Sequence, residues 1–282
     1  MSNHAREALA GQTFLVKLGG ETIADTAVLQ RVLDDVRALT EHGVQVVIMH
    51  GGGPQATALS KRLGLTANMV GGRRVTDRDT LDVMKAVLAG QVNVDLVAAC
   101  RAKAIPAVGL SGVSAGLIDA VKRPPKAVSG SNGVPVDFGY VGDIVGVRQD
   151  LLRALLAAGF VPVLNSLGSD AAGEVYNINA DAAANAVAIA LGVDKLIMIT
   201  GAPGVLRDKD DPRTRIPTLT SAAARAAIEE GTIVGGMIPK IEESLEALSG
   251  GVGAVHIVKV DEPGTILDEV LRGGSRGTEL VM

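Results

Sequence analysis

The sequence predicts an α/β sandwich built on a parallel sheet, on three observations. Short apolar runs of strand character end in glycine turns and are followed by stretches of helical spacing, a βαβα order that makes the strands run parallel. The apolar inventory is aliphatic: 47% of residues are hydrophobic, only 2% are aromatic and there is no Trp, which suits buried parallel strands under alanine-rich helices. The 35 glycines supply many tight turns and close backbone approaches. With 21% charged residues the 282-residue chain reads as globular, with room for one large domain or two intimate lobes.

The elements follow in order. Residues 13–18 (TFLVKL) read as a strand closed by Gly19 and Gly20, and 26–42 as a helix with apolar residues at Val28, Leu29, Val32, Leu33, Val36 and Leu39. A second strand, 44–49, runs into His50 and the glycines 51–53; Pro54 suits the first turn of a helix to about residue 63. Residues 66–75 read as a hairpin. Thr76 or Asp77 caps a helix bearing Leu81, Met84, Val87 and Leu88, and a separate helix covers 92–103. Residues 104–110 return as a strand, 113–148 as β-hairpins with a turn at 129–134, 150–158 as a helix and 161–164 as a buried strand.

The centre of the chain is 174–206. Polar residues Asn177, Asn179 and Asp181 open an alanine-rich helix, 182–191, stopped by Gly192; the strand 196–199 and a turn at 201–204 follow. Beyond lie a charged surface loop (207–217) and helices at 221–230 and 241–248 flanking a glycine-rich loop (231–239). A strand at 254–258, a helix at 263–271 and an edge strand at 277–281 complete the chain. No short-period repeat, low-complexity linker or clean domain boundary interrupts the pattern.

Composition excludes several function classes. A net charge of −4 argues against an extended nucleic-acid surface. The single cysteine, Cys100, leaves no intramolecular disulfide and no multi-cysteine metal site, and its apolar neighbours mark an inert buried thiol. The four histidines, at 4, 42, 50 and 256, show no metal-ligand spacing, so no protein-bound metal is expected. Residues 1–12 lack the apolar core of a signal peptide, and no stretch reads as long enough to span a bilayer. A cytoplasmic protein without membrane or nucleic-acid partners is expected.

Chemistry concentrates at strand ends and helix starts. Lys17 sits at the C-terminal end of an otherwise apolar strand, where a buried charge is costly without a partner and where α/β proteins bind ligands. Lysine stems also snorkel from strand ends; the two glycines after Lys17 favour a ligand. The glycine turns at 19–20 and 51–53 bare their N–H groups for phosphate ahead of a helix, although neither matches a dinucleotide or P-loop fingerprint. Arg74, after a glycine pair, suits bidentate capture of a carboxylate, whereas Arg73 reads as solvated. On local evidence Asp181 is a cap or first-turn acid. Lys240 precedes a helix, the end where a cation is disfavoured unless an anion compensates it.

Nine motifs then give the chain, from Thr13 to Val281, a resemblance to the amino-acid kinase family, in the branch that phosphorylates N-acetyl-L-glutamate. They are VKLGG (16–20), HGGG (50–53), RVTD (74–77), LAGQVN (88–93), YVGDI (140–144), NINAD (177–181), PGVL (203–206), GGMIPK (235–240) and GTELV (277–281). Each alone is weak; their number and order are specific. The resemblance implies a three-layer αβα sandwich around a central, mainly parallel sheet, with a substrate lobe at residues 1–176 and a nucleotide lobe at 177–282. It implies phosphoryl transfer from ATP to the side-chain carboxylate, giving an acyl phosphate in arginine biosynthesis.

Under that resemblance Lys17 and Lys240 would flank the transferring group and Asp181 would hold the two lysines. Gly52, Gly53, Arg74, Asn177 and Asn179 would bind the substrate, with Arg74 on its α-carboxylate. Gly19, Gly20, Gly201, Ala202, Pro203, Gly204, Val205, Leu206, Thr232, Ile233 and Val234 would surround the nucleotide, and Mg2+ would be bound chiefly through ATP phosphates. Three departures from the family pattern stand out. Gly201 replaces an Asp in the turn before Pro-Gly, and Arg73 replaces a leucine. Residues 1–11 resemble only the tail of a longer N-terminal helix, and VKVDEPG (258–264) lacks the arginine-site pattern, so a homodimer with weak or no arginine feedback is expected. The rivals are a kinase for a carrier-protein-linked aminoadipate or glutamate, which HGGG and NINAD disfavour, and a non-catalytic sensor. Gly201 alone favours the sensor; Lys17, Asp181 and Lys240 oppose it.

Overall fold

The computed structural model describes residues 9–128 and 133–282. The chain begins with β1 (Thr13–Leu18), α1 (Gly20–Ala24), α2 (Thr26–Glu41), β2 (Gln45–His50) and α3 (Gly53–Arg62). A small hairpin, β3 (Met69–Val70) and β4 (Arg73–Arg74), leads into α4 (Arg78–Ala102) and β5 (Ala107–Ser111). Next come β6 (Ile118–Lys122), β7 (Gly142–Val147), α5 (Asp150–Ala157), β8 (Val161–Asn165), β9 (Leu167–Ser169) and β10 (Val175–Asn177). The last part holds α6 (Ala180–Leu191), β11 (Lys195–Ile199), β12 (Thr218–Thr220), α7 (Ser221–Glu229) and α8 (Met237–Ser249). It ends with β13 (Ala254–Val258), α9 (Thr265–Leu271) and β14 (Thr278–Val281).

An eight-stranded sheet in the order β12-β14-β13-β11-β1-β2-β8-β5 runs through the whole chain. Neighbours from β13 to β5 are all parallel. Only β14, antiparallel to β13, reverses the direction, and β12 follows it. Strand alternation divides the core. Phe14, Val16 and Leu18 pack with Leu29, Val32, Leu33 and Val36 of α2 on one face. Leu15, Met49, Leu196 and Met198 meet Ala183, Val187 and Ile241, from α6 and α8, on the other. Lys17 shares the parity of Leu15, so its side chain leaves the sheet on the α6 face. A second sheet, β10-β9-β6-β7, feeds Ile118, Ala120 and Tyr176 into that same core.

Several expectations from sequence change. The helices expected on either side of residue 90 are one, α4, continued through a π-helical stretch at Ala86–Val92. The wider turn re-aims the apolar stripe: Met84, Val87 and Leu88 pack near Ala56 of α3, whereas Leu96 and Cys100 join the α2 core. Joined, α4 is 25 residues long, enough by length and composition to cross a membrane, contrary to expectation; Val83, Met84, Val87, Leu88, Val92, Leu96 and Cys100 pack in these two clusters, whereas Val94 is exposed. Strand β14 is not an edge, because β12 adds outside it.

Helix α8 starts at Met237 rather than 241, with Pro239 in the first turn where its missing N–H costs nothing. Lys240 is therefore inside the helix, not before it. The β9–β10 hairpin was not expected; the Asp170 carboxylate holds its turn by accepting from the N–H groups of Ala172 and Glu174. Of the turn expected at 129–134, residues 129–132 lie outside the described residues. Cys100 is buried, which pushes its thiol up to about 12.

Candidate active site

Parallel strands bring several backbone turns to one end of the sheet. The glycine turns after β1 and β2 touch there. A Cβ on Gly20 would lie 2.6 Å from Pro54 Cδ and 3.4 Å from Gly52 Cα, and one on Gly52 would lie 2.9 Å from Leu88 Cδ2, on the π-helical stretch. Close approach requires glycine at position 20, where the ring of Pro54 blocks a Cβ, whereas at Gly52 the tip of the Leu88 side chain would have to shift. Gly20 and Gly53 open helices α1 and α3, so their N–H groups have no partner inside those helices. Gln55 ties the turns together by donating to Gly20 O at 2.7 Å.

Beneath them His50 is fully buried, its Nδ1–H donating to Gly51 O at 3.0 Å while Nε2 accepts from Asn93 Nδ2 at 2.9 Å. That pairing assigns the neutral tautomer. Burial pulls the imidazole down to about 4.

Lys17 meets its partner across the α6 face. Asn179 caps α6, its side-chain oxygen accepting from the N–H groups of Asp181 and Ala182. Asp181 in that first turn forms an ion pair with Lys17 through Oδ1 and with Lys240 of α8, at 3.2 Å, through Oδ2. The side chains are 10%, 19% and 29% exposed for Lys17, Asp181 and Lys240, so the trio is shielded but open toward Lys240. Burial pushes the Asp181 carboxyl up, but the two ammonium groups outweigh it and hold it below the ordinary carboxylate range. Two cations share one anion, leaving a net positive charge beside the glycine turns.

A cavity of about 260 Å3 opens from Gly52 and Gly53 to Arg74, Phe138, Asn177 and Asn179. Arg74 Nη2 donates to Thr57 Oγ1 at 2.7 Å and to Gly53 O at 3.3 Å. Its Nη1 is buried with no hydrogen-bond partner among the described residues, an open donor suited to an anion. Asn177 Nδ2 donates to Thr76 Oγ1 at 3.3 Å. Asn179 lines the cavity too, although its oxygen is committed to the helix cap.

Residues 201–206 follow β11, the neighbour of β1, and 232–234 lead into α8, which carries Lys240. Thr200 Oγ1 fixes the first of these turns, accepting from Ala202 N–H at 3.2 Å and donating to Ala202 O at 3.0 Å. Farther on, Val205 N–H donates to Thr278 Oγ1 at 2.8 Å. Among the described residues no group of three or more His, Cys, Asp or Glu converges as a metal cluster.

Sequence reading passed over several residues that support this geometry. His50, Asn93, Gln55 and Thr57 hold the glycine turns and Arg74. Glu269, buried with His256 at 2.9 Å, accepts N–H bonds from Gly274, Arg276 and Gly277. Burial pushes that carboxyl up, but these bonds outweigh it and bring it down to about 2. Glu243, one turn after Lys240, is pushed up to about 7 by burial and then by the Asp181 charge. Of these, His50 lies inside the HGGG motif and Asn93 ends the LAGQVN motif.

Comparison with known proteins bears on the family and the fold. The model of the amino acid kinase family matches residues 12–259. An acetylglutamate kinase of Sorangium cellulosum is 49% identical, covering 100% of both chains. Another, of Anaeromyxobacter dehalogenans, is 49% identical over 95% of this chain and 99% of that protein. Among solved structures, N-acetylglutamate synthase from Neisseria gonorrhoeae, complexed with coenzyme A and N-acetyl-glutamate, superposes with a TM-score of 0.82 at 26% identity. That match covers 99% of this chain but spans only 61% of the synthase. Carbamate kinase from Giardia lamblia bound to AMP-PNP shares the fold, with a TM-score of 0.68 at 16% identity over 97% of this chain and 99% of that one.

Proposed function

The chain belongs to the amino acid kinase family, and we propose that it moves the γ-phosphoryl group of ATP onto the side-chain carboxylate of N-acetyl-L-glutamate, a step of arginine biosynthesis. Full-length likeness to acetylglutamate kinases supports this acceptor. The chemistry rests on one observation: Asp181 joined to both Lys17 and Lys240 beside the Gly20–Gly52 contact.

A carboxylate oxygen of the acceptor attacks the γ-phosphorus, the bond to the bridging oxygen breaks, and ADP leaves with the electron pair. No proton has to move, so the site needs no general base. Its task is to bring two anions together and to neutralise the charge that spreads over the transferring group. Lys17 and Lys240 supply that charge, and Asp181 fixes where they stand. The Gly20, Gly52 and Gly53 backbone suits phosphate, because the Gly20–Gly52 cradle leaves no room for a side chain at Gly20 and the N–H groups opening α1 and α3 lack helical partners. Gly19 and residues 201–206 and 232–234 form the rest of the nucleotide wall, and Mg2+ carried on the ATP phosphates adds further charge neutralisation.

Arg74, through its open Nη1, takes the α-carboxylate of the acceptor, and Asn177 and Asn179 take its amide. In this reading residues 1–176 form the acceptor lobe and 177–282 the nucleotide lobe, with Asn177 and Asn179 reaching the acceptor and Gly19 and Gly20 reaching the nucleotide across the boundary, in a cytoplasmic homodimer with little arginine feedback; light scattering and arginine titration test these last points. The decisive experiment is ADP release with Mg-ATP and N-acetylglutamate, glutamate, N-acetylaspartate or N-acetylaminoadipate, with hydroxylamine trapping of the acyl phosphate. Trapped product from N-acetylglutamate above all is expected; preference for N-acetylaminoadipate, or silence with every free acid, rejects the reading.

A further inference from the structure

A smaller annex of about 120 Å3 adjoins the acceptor cavity, and Arg73, Arg123 and Phe138 line both. At about 30 Å3 per water-sized group the annex takes roughly four such groups. Lys126 and Asp143 complete its polar lining. Local structure sets each cation. Gly71 and Gly72, at φ of 56° and 74°, make the tight turn that folds β4 back on β3 and places Arg73 beside Arg74. Arg123 Nε donates to the Asp143 carboxylate at 2.7 Å. Lys126 follows Pro124 and Pro125 and is pinned through its backbone to Val136.

Asp143 is thus committed to Arg123, and Asp137, beside Phe138, accepts from Lys122 and from the Gly139 N–H. Among the described residues neither Arg73 nor Lys126 has an ion-pair partner. Two unmatched cations line one pocket of a chain whose net charge is −4.

The acceptor proposed above, on which this inference rests, has three arms. Its side-chain carboxylate must face Lys17 and Lys240, and its α-carboxylate takes Arg74. Only the N-acyl arm is left for the annex, and a neutral methyl group gives two cations nothing to bind. We propose that the annex is an anion subsite for the acyl arm. The protein then phosphorylates N-acyl glutamates whose acyl chain ends in a carboxylate, such as the N-succinyl compound, in preference to neutral acyl chains of equal length. A longer acceptor side chain adds no charge in this direction, and a protein-borne acid exceeds a space of this size.

Rates of ADP release with N-acetyl-, N-butyryl- and N-succinyl-L-glutamate test it, because the butyryl and succinyl arms match in length and differ in charge. The expected kcat/KM for the succinyl compound is about fivefold or more above the butyryl one, falling toward equality in Lys126→Gln and at high salt. N-acetylglutamate turnover stays within about twofold in Lys126→Gln, since a neutral arm makes no use of that charge. Equal rates for the two long arms in the wild type, or a ratio untouched by Lys126→Gln and by Arg73→Gln, overturn the subsite and leave the kinase reading standing. Failure of N-acetylglutamate itself overturns the kinase reading, and turnover of a carrier-linked acid alone overturns both.

Discussion

Replacing Asp181 by Asn removes the carboxylate that joins Lys17 to Lys240 and leaves its shape in place. At 3.2 Å and an effective dielectric of about 20, the attraction to Lys240 alone is about 5 kcal/mol before desolvation. Desolvation of these shielded groups cancels most of that, and the ammonium groups left without their anion bring the expected loss of stability to about 1–3 kcal/mol. Catalysis should suffer more than folding. Two lysines that now repel each other lose their spacing, and a misplacement of about 1 Å costs on the order of 100-fold in rate.

The sign for nucleotide binding is opposite, because the trio's net charge rises by one unit and attracts polyphosphate more strongly. Steady-state ADP release over a range of ATP should therefore show kcat down about 100-fold or more, with the KM for ATP unchanged or lower. A kcat within about threefold of wild type would sink the anchoring role. A raised KM at unchanged kcat would instead make Asp181 a nucleotide contact.

Three further outcomes follow from the same geometry. Arg74→Lys keeps the charge but loses the planar fork, so the KM for N-acetylglutamate should rise about 10–100-fold with kcat held within about fivefold; an unchanged KM removes Arg74 from the acceptor site. Gly20→Ala drives a methyl group to 2.6 Å from Pro54 Cδ, costing about 1–3 kcal/mol in denaturant melts. Gly53→Ala, with nothing within 4 Å of its new Cβ, should cost no stability, and equal melts for the two reject the close-approach reading. His50 titrates at about 4 in the fold against an ordinary 6.5. The unfolded chain thus binds the extra proton in between, and stability is complete above pH 6.5 and lost as pH falls toward 4, by about 3 kcal/mol. Unfolding from pH 7 to 4 should flatten in His50→Gln; parallel slopes in the two proteins reject the assignment.

Legibility from sequence tracked locality. The run 13–18 is β1, and Gly192 stops α6 in the left-handed conformation that its place in the sequence suggested. Lys17 announced that it needed a partner, because a strand of Phe14, Leu15, Val16 and Leu18 has no other use for a charge. The strand's own residues did not say that the partner was Asp181, more than 160 positions away; order and number of motifs did. Elements set by tertiary contact stayed hidden. The π-helical stretch exists because two clusters claim different sides of α4, and β9 and β10 are only three residues each. Glu269 belongs to no motif in the sequence; its role comes from His256 and a loop that folds back onto it.

Gly201 is where the chain departs most visibly from its family pattern. A Cβ at Gly201 would meet nothing within 4 Å, so glycine there is not a steric requirement. The turn is held by the Thr200 hydroxyl, which bonds both the N–H and the carbonyl of Ala202, while Thr278 holds Val205 on the far side. Thr200→Val deletes two hydrogen bonds from a half-buried turn, worth about 1–2 kcal/mol together. It should raise the KM for ATP about three- to tenfold at nearly constant kcat. Gly201→Asp puts a carboxylate on an exposed position that the backbone does not depend on, so the same KM should move by no more than about twofold. If Gly201→Asp instead lowers the KM for ATP by an order of magnitude while Thr200→Val changes nothing, the turn is a weakened nucleotide contact and not one set by Thr200. The balance then shifts toward a chain that keeps the kinase fold while losing grip on its nucleotide.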